Sequence, residues 1–438
     1  MKYAVVTFGC RVNQADSVDI ERQLRAIGGS PAPSAEADLV VVNTCSVTST
    51  ADHGARQTIR RIARTNPGAR IVATGCYASR AADAVAALPG VTDIVDNRDK
   101  ERLAERLRLT VDRTTAERFG GGDGACGEAI RPGTAGRTGY TLRVQTGCDQ
   151  TCAYCIIPST RGEGRSVPPE RVAAELDAVA AAGFQEAAVT GVHLGSYGRD
   201  LQPRQRLIDL LRLLDAHPST LLFRLSSLEP MDCGPEVVDL VARSGRFAPH
   251  FHLPLQNASD RVLRAMRRPY TSDYYRRLVA DVRDRLPDAA IGSDMIVGFP
   301  GETEADAELN LAYLDESPLT YLHVFPYSDR PGTDATGMAG KLPGPVIRER
   351  GRALRAVGAR LAAAFRASQV GKVRSGLTIE GGSVVVTDNY LKVRVPEGLP
   401  DNRRVRVRIT EAGESVSGVV VGGINGESST TDTAPSPL

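Results

Sequence analysis

Short apolar runs alternate with longer amphipathic stretches over residues 1–110. Continuous apolar runs of this kind are typical of strands that are buried on both faces of a parallel sheet. The pattern therefore predicts an open parallel α/β sheet domain in this part of the chain. Its expected strands lie at 3–8, 38–43, 70–74 and 92–95, and its expected helices at 15–27, 51–64, 80–88 and from Asp99 onward.

The same alternation resumes at Tyr140 and continues to about residue 334. Six apolar runs with amphipathic stretches between them predict βα units that suit a partial (β/α)6 barrel more than a closed barrel of eight strands. The expected strands lie at 140–145, 186–190, 221–226, 250–255, 289–297 and 320–325, and the expected helices at 169–182, 207–216, 235–244, 260–266, 273–286 and 304–317. With an Arg-rich amphipathic helix expected over 346–369, we assign residues 140–368 to this domain.

The remaining segments differ in composition. Residues 111–139 are rich in Gly and Arg without periodicity, which indicates a linker. Short β-like runs between residues 374 and 421 predict a small β-barrel over 370–425, and residues 426–438 are expected to form a disordered tail. Arginines of the barrel could contact phosphates, and the candidates are Arg394, Arg403, Arg404, Arg406 and Arg408.

Three cysteines of the N-terminal domain each follow an expected strand: Cys10 the first, Cys45 the second and Cys76 the third. Parallel strands end at one edge of their sheet, and open α/β sheets bind ligands at that edge. We therefore expect the three thiols to converge on one crevice, although they are far apart in sequence. The alternative is that they are three scattered core cysteines, since a free thiol often packs as a small apolar group.

A second group of cysteines, Cys148, Cys152 and Cys155, follows the first expected strand of the central domain. Three thiolates in C-x3-C-x2-C spacing can hold three irons of a [4Fe–4S] cluster and leave the fourth iron open. A zinc loop and a disulfide cluster are the alternatives, but structural zinc needs a fourth ligand, and a long chain without a signal peptide is expected to keep its thiols reduced. Cys126 and Cys233 are isolated and receive no role.

This spacing, with Tyr154 between the last two cysteines, resembles the radical S-adenosylmethionine (SAM) enzymes. The resemblance implies that the three central cysteines bind the catalytic [4Fe–4S] cluster, that its open iron chelates SAM, and that Tyr154 lies near the adenine. His250 and His252 share one strand face and are expected to pack or to hydrogen-bond rather than to bind metal. Further SAM contacts are expected where the barrel strands end, at Gly191, His193, Ser227, Glu229, Gln256 and Asp294.

The order of the three domains resembles the radical SAM methylthiotransferase family, in which the C-terminal barrel is a TRAM domain that holds RNA. The resemblance implies that Cys10, Cys45 and Cys76 bind an auxiliary [4Fe–4S] cluster that delivers the sulfur, and that SAM is the cosubstrate. Family members attach a methylthio group either to adenosine 37 of tRNA or to an aspartate of a small-subunit ribosomal protein. An electron donor such as flavodoxin or ferredoxin is implied as a further partner.

Two stretches indicate the branch of the family. Residues 8–14, Phe-Gly-Cys-Arg-Val-Asn-Gln, and residues 190–198 resemble the branch that modifies C2 of N6-threonylcarbamoyladenosine in tRNA. The isopentenyladenosine branch usually has Gln-Met-Asn in the first stretch and is the alternative, while the ribosomal-protein branch usually has Pro-Lys-Asn and is less favoured. Ser159 and Thr160 depart from the family, because relatives often have an aromatic or small residue there.

Composition and charge change this picture little. The 438 residues are enough for two or three domains, and 54 Lys and Arg against 52 Asp and Glu give a net charge of only +2, which does not by itself indicate a nucleic-acid partner. The N-terminal apolar run is too short for a signal peptide or a membrane span, which favours a cytoplasmic protein. Two other classes stay open at this point: an iron–sulfur electron-transfer protein, and an RNA-binding protein with structural metal sites.

Overall fold

The structure is a computed structural model that describes residues 1–109, 132, 138–396 and 398–423. The N-terminal strands are β1 (Lys2–Thr7), β2 (Ser30–Pro31), β3 (Leu39–Thr44), β4 (Arg70–Gly75) and β5 (Val91–Val95). They form one parallel sheet in the order β2-β1-β3-β4-β5. The accompanying α-helices are Arg11–Ala26, Ser49–Thr65, Cys76–Arg80, Ala82–Ala86 and Leu103–Arg106, with a 3-10 helix over Asn97–Arg102.

The two faces of this sheet enter two different apolar cores, because successive side chains of a strand point to opposite faces. Val41 belongs to the core that holds Leu24 of the helix Arg11–Ala26. Val42 belongs to the core that holds Ile59 of the helix Ser49–Thr65. The predicted open α/β sheet is therefore confirmed, with helices on both faces.

Several boundaries in this domain differ from the prediction. The first helix begins at Arg11 rather than at residue 15, because the buried polar residues Asn13 and Asp16 interrupt the apolar periodicity at its start. The edge strand β2 has only two residues and gives no apolar pattern. The helices expected at 80–88 and from Asp99 are each divided into two short elements.

The central strands are β6 (Tyr140–Arg143), β7 (Gln145–Thr146), β8 (Arg165–Ser166), β9 (Glu186–Thr190), β10 (Leu222–Leu225), β11 (His250–His252), β12 (Ala290–Val297) and β13 (Tyr321–Pro326). Six of them form two parallel sheets in the orders β10-β9-β6 and β11-β12-β13. A bridge between Phe223 and Phe247 extends β10 towards β11, so the six strands follow one another as an open partial barrel. This confirms the predicted architecture.

The helices of the central domain lie close to their predicted bounds. The α-helices are Ile157–Arg161, Pro169–Ala181, Leu207–Ala216, Pro235–Arg243, Asp260–Ala265, Ser272–Arg285, Glu304–Glu316 and Gly344–Ser368, and the 3-10 helices are Leu194–Ser196, Pro230–Asp232 and Asp334–Gly337. The prediction of one continuous strand over 140–145 is wrong, because this stretch contains two strands. β6 pairs with β9, whereas β7 forms a separate antiparallel pair with β8. The strand expected at 250–255 ends at His252, and Pro254 has no amide hydrogen with which to continue it.

The C-terminal strands are β14 (Val373–Ile379), β15 (Val384–Thr387), β16 (Lys392–Arg394), β17 (Arg404–Ala412) and β18 (Val416–Gly423). They close into a barrel in the order β14-β15-β16-β18-β17, as predicted. Four of the candidate arginines are exposed, but Arg404 is half-buried and donates to the Thr220 carbonyl of the central domain at 3.1 Å. The predicted linker, apart from residues 132, 138 and 139, lies outside the described residues, as do Cys126 and the predicted tail.

Candidate active site

The structure places Cys10, Cys45 and Cys76 together at the carboxyl edge of the N-terminal sheet. Cys10 is the residue before the helix Arg11–Ala26, Cys45 follows β3, and Cys76 begins the helix that follows β4. Burial, with a contribution from the thiolates of Cys10 and Cys76, raises the pKa of Cys45 to about 11. Cys45 and Cys76 are buried and Cys10 is exposed, so this group, here called the N-terminal trio, opens to solvent on one side.

Two glycines permit the close packing of this trio. Gly9 has a φ of +95°, and a Cβ built there would lie 2.5 Å from the Cys45 Sγ. Gly75 has a φ of +97°, and a Cβ there would collide with the Thr44 carbonyl oxygen. Only glycine adopts this backbone conformation without strain, so both positions are needed to present the thiols at one crevice.

Cys148, Cys152 and Cys155, here called the central trio, lie in the loop that follows β7. The Cys148 Sγ accepts from the Gln150 amide at 3.4 Å. Burial raises the pKa of Cys155 to about 12, with smaller contributions from the thiolates of Cys152 and Cys148. Thiols in such surroundings need a cation to favour their ionised form, which is what a metal centre supplies.

Arg268 is a central feature of the site that the sequence did not reveal. Its side chain is 2% exposed, and its Nη1 donates to the Cys152 Sγ at 3.2 Å. Its Nη2 forms an ion pair with Glu229, and its Nε donates to the Tyr270 hydroxyl at 3.1 Å. Arg268 therefore connects the central trio to Glu229, one of the residues predicted to contact SAM.

The other predicted SAM residues differ in their surroundings. Tyr154 packs edge-on against Phe299, with ring centroids 6.5 Å apart. Asp294 accepts from the His252 Nε2 at 2.9 Å and from the His323 Nδ1 at 3.1 Å. Burial opposes ionisation of Asp294, but these two hydrogen bonds lower its pKa to about 2.

Gly191, His193, Ser227 and Gln256 lie in the segments that follow β9, β10 and β11, whereas Asp294, predicted at a strand end, lies within β12. Gln256 has a φ of +70° and forms an isolated β-bridge with β12, and Ser227 is exposed. A Cβ at Gly191 would lie 3.0 Å from the Gln145 Oε1, so the backbone passes close to that side chain. The His193 ring is buried with its Nε2 at 2.7 Å from the Asp232 Oδ2, which makes it a packed, hydrogen-bonded histidine in the present arrangement.

A buried network of charges joins the two trios. Asp16 forms ion pairs with Lys100 at 3.0 Å and with Arg161 at 2.9 Å, and all three side chains are at most 5% exposed. Arg161 also donates to the Asn13 side chain and, at 3.2 Å, to the Thr146 hydroxyl just before the central trio. Burial lowers the pKa of Arg161, but Asp16 and, to a smaller extent, the thiolates of Cys76 and Cys10 raise it above its usual value. The interface between the two domains is therefore part of the site.

Replacing Asp16 by Asn should lower the free energy of unfolding by about 3–5 kcal/mol, because Lys100 and Arg161 lose their buried counter-charge. Burial opposes ionisation, but Lys100, Arg161 and Arg143 hold the pKa of Asp16 well below its usual range. The stabilisation is therefore present above about pH 4 and is lost as the pH falls. Urea unfolding between pH 3 and pH 7 would measure both effects.

The control is Asp315→Asn, which breaks an exposed pair with Arg360 and should cost less than about 1 kcal/mol. An Asp16→Asn protein as stable as this control, with the wild-type pH dependence, would contradict the importance of the buried network.

A second set of charges lies beside Cys45. The Arg330 Nη1 donates to the Asp52 Oδ2 at 3.0 Å, and Arg80 donates to the same oxygen at 2.7 Å. Arg330 is buried, yet its Nε and Nη2 have no hydrogen-bond partner among the described residues. Burial lowers the pKa of Arg330, whereas the Asp52 carboxylate and the Cys45 thiolate favour its charged form.

These features fit a pair of iron–sulfur clusters. Each trio offers three thiols, which is the donor set of a [4Fe–4S] cluster with one open iron. Hydrogen-bond donors lie next to both trios, the unpartnered N–H groups of Arg330 beside Cys45 and the Nη1 of Arg268 on Cys152. Such donors suit the negative charge of thiolates and sulfides.

A cleft of about 390 Å³ opens between the helix Arg11–Ala26 and the central domain. Its charged side chains pair with one another, as Arg143 does with Asp19 at 2.9 Å and Arg22 with Asp19 at 3.2 Å. None of the six trio cysteines lines it. This cleft is therefore separate from the two trios.

Comparison with known proteins gives the class. The sequence pattern of the uncharacterized protein family UPF0004 matches residues 2–96, and that of the Radical SAM superfamily matches residues 142–314. The radical SAM methyltransferase TsrM from Kitasatospora setae has a similar fold, with a TM-score of 0.55 and 16% identity over 76% of each chain. Fold and sequence together define a radical SAM enzyme.

Two relatives resolve the family further. The threonylcarbamoyladenosine tRNA methylthiotransferase of Aquifex aeolicus is 35% identical over 90% of this chain and 96% of its own length. The tRNA-2-methylthio-N(6)-dimethylallyladenosine synthase of Paenarthrobacter aurescens is 33% identical over 87% of this chain and 75% of its own length. The chain belongs to the radical SAM tRNA methylthiotransferase family. Enzymes of this family use SAM and [4Fe–4S] clusters to transfer a sulfur-containing group.

In the described part of the chain, no helix is long and apolar enough to cross a bilayer.

Proposed function

We propose that the protein methylthiolates C2 of N6-threonylcarbamoyladenosine at position 37 of tRNA, giving 2-methylthio-N6-threonylcarbamoyladenosine. The observation that carries this proposal is the presence of two three-thiol sites joined by one buried charge network, in a chain whose relatives include threonylcarbamoyladenosine tRNA methylthiotransferases from Aquifex aeolicus and Bacillus subtilis. The second candidate, dimethylallyladenosine as the substrate nucleoside, is favoured by relatives at 32–34% identity.

The chemistry divides between the two trios. Cys10, Cys45 and Cys76 would hold the auxiliary cluster, and Cys148, Cys152 and Cys155 the cluster that binds SAM. When bound, the central cluster would pass on the electron that cleaves SAM to the radical that activates the C2–H bond, the auxiliary cluster would carry the sulfur, and a second SAM would supply the methyl group. Because the electron must come from outside the chain, we include a small donor protein such as flavodoxin or ferredoxin among the partners.

The side chains around the trios position these groups. Arg268 holds Cys152 through a hydrogen bond and Glu229 through an ion pair, so the Glu229 carboxylate would be available to SAM bound at the central trio. Asp294, ionised at neutral pH, offers a second carboxylate that can accept from a ribose hydroxyl or an amino group. Arg161 and Asp16 form a buried ion pair between the N-terminal and central domains, which holds the two domains together beside the trios.

The division of labour follows the domains: residues 1–110 carry the auxiliary site, residues 140–368 the radical SAM site, and residues 370–425 hold the RNA. The exposed arginines Arg394, Arg403, Arg406 and Arg408 can contact phosphates, which would position the tRNA without reading its sequence. Because tRNA is the substrate, we infer that the enzyme works in the cytoplasm.

The test is a reaction of the anaerobically reconstituted protein with SAM, dithionite and two tRNA anticodon stem-loops. One RNA carries N6-threonylcarbamoyladenosine and the other carries N6-dimethylallyladenosine at the same position. We expect mass spectrometry to detect the methylthio nucleoside from the first RNA only. Product from the dimethylallyl RNA alone would assign the chain to the second candidate function.

A further inference from the structure

Arg11 occupies an unusual position at the junction of all three domains. It follows Cys10 directly and begins the helix Arg11–Ala26. Its Nη2 reaches the C-terminal barrel, where it lies 3.4 Å from the Tyr390 hydroxyl as a hydrogen-bond donor. The described part of the chain places no carboxylate within ion-pair distance of it, unlike Arg224 nearby, whose Nε is 2.9 Å from the Glu186 Oε1.

An aromatic surface extends from Arg11 across the open side of the central partial barrel. We call it the ring surface and define it as Tyr390, Tyr321, His323 and Phe325, with His250 and His252 behind them. Tyr390 contacts the His250 ring at a centroid distance of 4.5 Å, and the Tyr321 hydroxyl lies 2.8 Å from the His250 Nε2. Tyr390 and Phe325 are 43% and 39% exposed, which is high for aromatic side chains.

The two ends of the ring surface lie near the two trios. At one end Arg11 adjoins Cys10 of the N-terminal trio. At the other end the Asp294 carbonyl accepts from the Gln256 amide at 2.8 Å, and the adjacent Leu255 carbonyl accepts from the Tyr270 hydroxyl at 3.1 Å. Tyr270 in turn accepts from Arg268, which also donates to Cys152 of the central trio. A flat base placed on this surface would therefore lie between the site that supplies the radical and the site that supplies the sulfur.

The charged side chains at this surface differ in whether they have a partner. The Asp294 carboxylate accepts from both His252 and His323, so it has hydrogen-bonded partners. Arg224 packs against the Tyr390 ring with its guanidinium carbon 5.2 Å from the centroid, but its charge is paired with Glu186. Arg11, which adjoins the ring surface, has no carboxylate partner in the part of the chain that the structure describes, so its guanidinium still offers donors for an anionic ligand.

The chemistry of the nucleoside matches this arrangement. Aromatic side chains provide stacking surfaces for nucleobases, and a guanidinium binds a carboxylate through charge-assisted hydrogen bonds. In adenine, C2 and the N6 substituent flank N1 on the same edge of the ring. When C2 faces the N-terminal trio, a carboxylate carried on N6 therefore remains within reach of a side chain adjacent to Cys10.

We propose that Arg11 binds the carboxylate of the N6-threonylcarbamoyl group while the adenine stacks on the ring surface, an inference that rests on the proposed function. Arg11 would then distinguish this nucleoside from one with an uncharged N6 substituent, because a carboxylate that leaves water without a partner pays a large desolvation cost. Residues that adjoin the N-terminal trio would thereby contribute to substrate choice as well as to sulfur transfer.

The test compares two anticodon stem-loop RNAs in fluorescence anisotropy with the full-length protein. One carries N6-threonylcarbamoyladenosine, and the other carries the same nucleoside with its carboxylate converted to the uncharged carboxamide. We expect the wild type to bind the carboxylate RNA about tenfold more tightly, which corresponds to about 1.4 kcal/mol. Arg11→Gln should reduce this ratio to within about twofold of one, while Arg11→Lys should keep most of it, because the cation is retained.

The control is Arg60→Gln, an exposed position on the helix Ser49–Thr65, which should keep the wild-type ratio. Each ratio compares the affinities of one variant for the two RNAs. A general loss of affinity or of iron lowers both affinities equally and leaves the ratio unchanged. An unchanged ratio in Arg11→Gln overturns the inference and leaves the proposed function standing if the wild type methylthiolates the carboxylate RNA. A wild type that gives no methylthio product from that RNA overturns the proposed function itself.

Discussion

Replacing Cys10, Cys45 or Cys76 by Ala should abolish the methylthio nucleoside while SAM is still cleaved to 5′-deoxyadenosine. The three thiols lie together at the edge of the N-terminal sheet, whereas the central trio lies in the loop that follows β7, so the change removes the sulfur source and leaves the radical site in place. Iron and sulfide should fall to about half, since one of two similar clusters is lost. Chromatography with mass spectrometry would quantify both nucleosides in one reaction.

The matched control is Cys233→Ala, which removes a buried thiol from the core of the central domain, away from both trios. It should keep the iron content and both nucleoside products. Normal methylthio product from any of the three N-terminal variants would show that this trio does not carry the transferred sulfur.

Replacing Cys148, Cys152 and Cys155 together by Ala should remove SAM cleavage altogether and leave about half of the iron. The remaining iron should belong to the N-terminal trio, which this change does not touch. Without the radical, the C2–H bond is not activated, so the methylthio product is lost as well. Iron analysis, together with a 5′-deoxyadenosine assay under dithionite, would measure both effects.

This variant also separates the enzyme from the rival classes. An iron–sulfur electron-transfer protein would give no 5′-deoxyadenosine even as the wild type. An RNA-binding protein with structural metal would lose tRNA affinity with its cysteines but would never cleave SAM. Full iron in the triple variant would contradict the assignment of these three thiols to a cluster.

The parallel strands of the N-terminal sheet and the convergence of Cys10, Cys45 and Cys76 could be predicted, because both follow from the apolar periodicity and from the alternation of strands and helices along the chain. Continuous apolar runs identify buried parallel strands, and parallel strands end at one edge. A cysteine after each of three such strands therefore had to converge with the others. The barrel strand around Arg406 was equally predictable, because Val405 and Val407 alternate with exposed residues.

The charged parts of the site could not be predicted in the same way. Arg268, Asp16, Arg161 and Lys100 are buried, yet a charged residue in sequence is ordinarily expected to lie on the surface. Their partners are distant in the chain, such as Asp16 for Arg161, and no local pattern connects such pairs. Arg268 lies between the end of the short helix Asp260–Ala265 and Pro269, a position that gives no sequence signal for burial.

Arg404 shows that the alternation of apolar and polar residues along a strand does not by itself predict which side chains are exposed. It occupies an outward position in β17, like Arg406 and Arg408, and periodicity alone assigns all three to solvent. The central domain covers this end of the strand, however, and the Arg404 side chain donates to the Thr220 carbonyl. Packing between domains decides which of these outward arginines remains free for RNA.

The most direct test of the account is mass spectrometry of tRNA nucleosides from a strain that lacks this gene. The account predicts that 2-methylthio-N6-threonylcarbamoyladenosine disappears and that its unthiolated precursor accumulates. Complementation with the wild-type gene should restore the product, and complementation with the Cys45→Ala gene should not. Loss of 2-methylthio-N6-dimethylallyladenosine alone, with the threonylcarbamoyl product unchanged, would contradict the account.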